Sequence, residues 1–98
     1  MQSRFLGHDV AVLMTIAEQP ARAIDREAIR RHVDFLEHMV LGDEEIDASL
    51  ERLIAHGLVV REGDLVCRSE RVPNTRGLAI AAERTRLSQL LEQVTDEA

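Results

Sequence analysis

Apolar residues along the chain fall in runs set apart by Gly7, Pro20, Gly42, Gly57, Gly63, Pro73 and Gly77. Between His8 and Gln19, Val10, Ala11, Val12, Leu13, Met14, Ile16 and Ala17 are apolar on nearly every side. Opened by Asp9, this segment reads as a central, buried helix. The run Val10–Met14 by itself also suits a strand. After Pro20, Asp25 predicts an N-cap, with Glu27 in the first turn where the helix dipole favours it. Ala28, Ile29, Val33, Leu36 and Met39 or Val40 recur at helical spacing, ending before Gly42 with a break near Asp34 as an option.

The third segment carries the clearest period. Asp43 is the expected cap, and Glu44, Glu45 and Asp47 load the positive end of the dipole. Ile46, Leu50, Leu53 and Ile54 form one stripe, His56 sits in the last turn, and Gly57 is the expected stop. Leu58–Arg61 and Asp64–Arg68 flank Glu62-Gly63 and predict a hairpin, with Leu58 and Val60 facing the core and Pro73 closing the second run. From Asn74 or Thr75 to about Val94, Ile80, Leu87, Leu90, Leu91 and Val94 mark a last helix, followed by a polar tail from Thr95.

Composition narrows the function classes. The 98 residues allow one domain over 1–98, with a core over about 8–72 and a terminal helix over about 74–94. An apolar share of 45% against 31% charged suits a soluble folded chain. Phe5 and Phe35 are the two aromatics, too few for a carbohydrate site or a base-stacking platform. The net charge of -6 disfavours indiscriminate binding to nucleic acid or anionic membranes. All 12 basic residues are Arg, and Cys67 is the one cysteine. Neither a leader nor a membrane span is evident, so a cytoplasmic location is expected.

Helix, helix, helix, hairpin, helix is the order of a winged helix-turn-helix domain. The most specific stretch runs from Ile46 to Asp64: an apolar pair, Leu50 and Leu53, a Gly57 stop, Leu58-Val59, then the hairpin. Ala23–Ile29 resembles the start of that family's second helix. Thr75-Arg76-Gly77-Leu78-Ala79 resembles the approach to the dimerisation helix of several bacterial regulators. The resemblance implies an α+β, mostly helical fold: a three-helix core, a two-stranded wing and a long C-terminal helix. It also implies a DNA-binding regulator of transcription, without enzymatic activity or cofactor. The third helix would enter the major groove and the wing would touch the backbone.

On that reading Arg26, Arg30 and Arg31 meet phosphates, Ser49 and Arg52 contact DNA from the third helix, and Arg61 and Arg68 act from the wing. Arg22, Arg71, Arg76, Arg84 and Arg86 add to the same two basic regions. The charge of the third helix argues the other way. Asp43, Glu44, Glu45, Asp47 and Glu51 stand against Arg52 alone, and the hairpin tip Glu62-Gly63-Asp64 is acidic too. Phosphate contacts need cations or donors. The alternative is a protein-interaction adapter that presents Glu44, Glu45, Asp47, Ala48 and Glu51 to a basic partner. The arginines would then pair with neighbouring acids: Arg26 with Asp25, Arg30 and Arg31 with Glu27, Arg86 with Glu83.

Other chemistry is thinly represented. His32 and His38 are six apart and share no helix face, His8 belongs to a helix start, and His56 suits a helix C-terminus, so no metal site is expected. Cys67 reads as a small buried hydrophobe, or as a thiol sensor beside Arg68. The Ile80, Leu87, Leu90, Leu91 and Val94 stripe packs either on the chain's own first helix or on a copy of itself as a homodimer. The second is the expectation.

Overall fold

A computed structural model describes residues 5, 7–19 and 23–96. It contains α1 (Gly7–Ala17), α2 (Arg26–Glu37), α3 (Asp43–Ala55), β1 (Val59–Glu62), β2 (Leu65–Arg68) and α4 (Ile80–Asp96). The protein is α+β and mostly helical, with the elements in the order read from the sequence.

The Val10–Met14 run is helical. Packed by α2, α3, α4 and β2, α1 buries every residue from Asp9 to Ala17. Its all-round apolar surface is what lets four elements gather on it. Asp9 does not cap α1; it lies inside the helix and is fully buried.

Asp25 caps α2 as expected, its carboxylate accepting the Ala28 N–H at 2.8 Å. The helix passes Asp34 unbroken and stops at Glu37. His38 then turns left-handed (φ 50°), and its N–H donates to Asp34 O at 3.0 Å. Met39 and Val40 therefore lie beyond the helix: Met39 packs on the core and Val40 is exposed. Arg22 and the side chain of Leu36 lie outside the described residues.

In α3 the cap is Gly42, one residue before the expected Asp43, and the Glu45 carboxylate accepts the Gly42 N–H at 3.0 Å. Ile46, Leu50 and Leu53 are buried and Ile54 is half-buried. Gly57 takes φ 74°, a conformation that costs it no Cβ clash, and the Leu58 N–H returns to Leu53 O at 2.9 Å.

The hairpin is antiparallel, Val59 opposite Arg68 and Glu62 opposite Leu65, around Gly63-Asp64. Leu58 is buried as expected, but Val60 faces outward and Val59 takes the inward place. Leu58 belongs to the helix stop, so strand alternation starts at Val59. Ile24 adds a one-residue third strand, exchanging two backbone hydrogen bonds with Val66 (2.8 and 2.9 Å).

The last helix starts at Ile80. Residues 74–79 instead form a turn in which the Thr75 N–H donates to Ala17 O at 3.1 Å. Leu87, Leu91 and Val94 are buried in the chain's own core, where α4 packs on α1. Leu90 is half-buried against the same core, and Ile80 is half exposed. The expected dimerisation stripe is thus largely used within one chain, because α1 has an apolar face left to cover. Among the described residues no helix is long and apolar enough to cross a membrane.

Candidate functional site

The exposed side of α3 and the cleft between α2, α3 and the hairpin form a densely charged surface. The inward period of Ile46, Leu50 and Leu53 turns Glu44, Glu45, Ala48, Glu51 and Ala55 to solvent. The cleft encloses about 490 Å³ over a floor of Leu50 and Val66. Its walls carry Asp25, Glu27, Asp43, Asp47, Glu51 and Asp64 against Arg26 and Arg61.

Most of the expected DNA contacts are engaged elsewhere. Ser49 is fully buried, and its hydroxyl donates to the Asp9 carboxylate. Arg52 reaches the same carboxylate with Nε to Oδ2 and Nη2 to Oδ1, both at 2.8 Å. This bond holds the Arg52 guanidinium above its usual pKa. Both residues face inward because Asp9, buried in α1, requires donors, and two-pronged pairing with Arg is the strongest available. Neither stands on the outer face of α3; both are engaged with Asp9.

Arg26 does not pair with Asp25. It bridges α2 to α3, reaching Asp47 at 2.7 Å and Asp43 at 3.5 Å. Arg30 binds Glu27 as expected, and that bond lowers the Glu27 carboxyl below its ordinary value and raises Arg30. Arg31 stands 3.9 Å from Glu27 and is largely exposed. Arg68 donates to Val72 O at 3.0 Å, tying the hairpin to the following loop. Arg61 lines the cleft and is exposed. The expected Glu83–Arg86 pair is absent, because Glu83 is fully buried and accepts from the Thr75 hydroxyl.

The outer face of α3 is therefore acidic without a compensating Arg52. Glu45 spends its carboxylate on the Gly42 N–H and Asp47 meets Arg26. Glu44 and Glu51 remain solvent-facing beside Ala48. A small residue between carboxylates leaves room for a long basic side chain to lie along the helix.

Two inner polar clusters were not anticipated. Asp9–Ser49–Arg52 carried a signal: Ile46, Ser49, Leu50 and Leu53 follow one i, i+3, i+4, i+7 face, which places Ser49 in the apolar stripe. The second joins α1, α2 and α4. Thr15 Oγ1 meets His32 Nδ1 at 2.9 Å, and His32 Nε2 meets Glu18 Oε2 at 3.0 Å. Burial lowers the His32 imidazole, and it raises the Glu83 carboxyl to about 7. The hydroxyl–imidazole–carboxylate order is that of a nucleophile, base and orienting acid. Yet Thr15 is buried and its hydroxyl turns back to Ala11 O at 3.2 Å, so it is closed to a substrate while α2 stays packed.

Cys67 lies opposite Val60, its thiol 3.8 Å from Glu62 Oε1. Burial and the Glu62 charge push the thiol up, the reverse of what a reactive thiolate needs. Among the described residues no three His, Cys, Asp or Glu side chains are grouped to hold a metal ion. No family model, curated protein or solved structure matches the chain.

Proposed function

We propose that this chain is a winged-helix interaction module whose α3 face and adjoining cleft bind a basic segment of a partner protein. One observation carries the reading: Ser49 and Arg52 turn inward to Asp9, which leaves Glu44, Glu51 and Ala48 as the outward surface of α3. Partner arginines or lysines would lie over Ala48 and between the carboxylates of the cleft, with their stems on Leu50 and Val66. Steering by the net charge of -6 would favour the same partners.

A DNA-binding regulator of transcription is the second reading. It is favoured by the helix–helix–helix–hairpin order and by two exposed arginines, Arg31 on α2 and Arg61 on the hairpin. One experiment separates the two. Fluorescence anisotropy is recorded with a labelled Arg/Lys-rich peptide and with a labelled mixed-sequence duplex, each across several salt concentrations. The module reading expects salt-sensitive binding of the peptide and none of the duplex at low salt. Duplex binding that weakens steeply with salt, with no binding of the peptide, reverses the assignment.

A further inference from the structure

Glu83 is fully buried on α4, yet only one of its oxygens is met by a donor. Oε2 accepts from the Thr75 hydroxyl, and among the described residues no donor reaches Oε1. The titratable groups that face it are Glu18, one residue past the end of α1, and His32 of α2. Glu18 raises the Glu83 carboxyl by accepting a hydrogen bond from its protonated form and by adding a like charge. His32 adds the opposite charge only when protonated, and its burial opposes that. Thr75, on the turn before α4, also donates its N–H to Ala17 O at 3.1 Å. The cluster therefore sits where the α4 approach is tied to the end of α1.

We propose that the junction of Thr75, Glu83, Glu18 and His32 is a proton-operated latch, holding the N-terminal half of α4 on α1 while Glu83 carries its proton and loosening it when Glu83 ionises. A neutral carboxyl can stay dry there and donate its own hydrogen toward Glu18. An ionised one must stay buried beside a second carboxylate with a single hydroxyl for company, or move to water. The movement it drives is outward, because α1 behind Glu83 is core and the far side of α4 faces water.

The sign follows from proton binding. The folded chain holds the Glu83 proton up to about pH 7, whereas a free glutamate releases it near pH 4.5. Stability thus falls as pH rises through this window and levels off above it. His32 works in the opposite direction around and below the ordinary imidazole range, because burial makes the folded state disfavour its proton. Comparison with Glu83→Gln separates the two, because His32 is common to both chains.

The test is amide hydrogen exchange of the full chain from pH 6 to 8, corrected for the intrinsic exchange rate and read separately for α3 and α4. The first turns of α4 should lose protection by about tenfold while α3 holds, and Glu83→Gln should abolish that loss. Should α3 and α4 lose protection together, or the variant keep the pH dependence, the latch is overturned. Should the variant fail to fold, the Glu83 carboxyl carbon of the natural chain is titrated by NMR. A midpoint near that of an ordinary glutamate, about 4.3, overturns the proposal, and one near neutrality upholds it.

Discussion

Asp9 and Glu83 are both carboxylates with no exposed surface, and the protein treats them in opposite ways. Asp9 receives two guanidinium hydrogen bonds from Arg52 and a hydroxyl from Ser49. Glu83 receives one hydroxyl and faces another acid. The first site joins α1 to α3 as a closed ion pair. The second leaves a group whose charge depends on solution pH. Burial alone therefore does not decide what a carboxyl does; the donors brought to it do.

The largest expected effect comes from breaking the satisfied site. Arg52→Met should cost about 3 kcal/mol in urea unfolding followed by circular dichroism, because it strands a buried carboxylate. Pairing it with Asp9→Leu should recover most of the loss, since a matched apolar pair needs no donors. A double variant as unstable as the single one would mean that Ser49 and packing, not the ion pair, set the cost.

Glu83→Gln should do the reverse. At pH 8 it should raise stability by about 2 kcal/mol, since the amide stays neutral and can donate toward Glu18. At pH 5, near the start of the titration window, most of that gain should disappear. Thermal unfolding at the two pH values reads this directly. A gain that is equal at both would detach it from ionisation.

Thr75→Val removes the one donor to Glu83 and should cost about 1 kcal/mol, more at pH 8 than at pH 5. The smallest stability change belongs to the outer face. Glu44→Gln with Glu51→Gln should alter unfolding by about 0.5 kcal/mol. In the anisotropy assay the same pair should abolish peptide binding, and unchanged binding would move the interaction away from α3.

Local signals made the element order legible. Asp25 capped α2, Gly57 stopped α3 with positive φ, and Gly63 turned the hairpin where residue type demanded. Legibility failed at positions whose role depends on a distant partner. Asp9 looked like a helix cap because capping is the commonest local use of an aspartate. Its donors lie 40 and 43 residues away. Ser49 and Arg52 looked available to a ligand for the same reason. The acidic outer face of α3 was visible from its residues, but its isolation from Arg52 was not.

The amino-acid sequence by itself determined where most helices and strands begin and end to within a few residues, the start of α4 excepted, since caps, glycines and apolar periods act over one or two turns. It also determined that α3 would present carboxylates outward. Only the tertiary structure decided which charges are spent internally, that Leu87, Leu91 and Val94 close the chain's own core, and that Glu83 is buried with Thr75 as its hydroxyl donor and Glu18 beside it. Those outcomes depend on which surfaces meet across three or four elements, and no period or cap encodes that meeting.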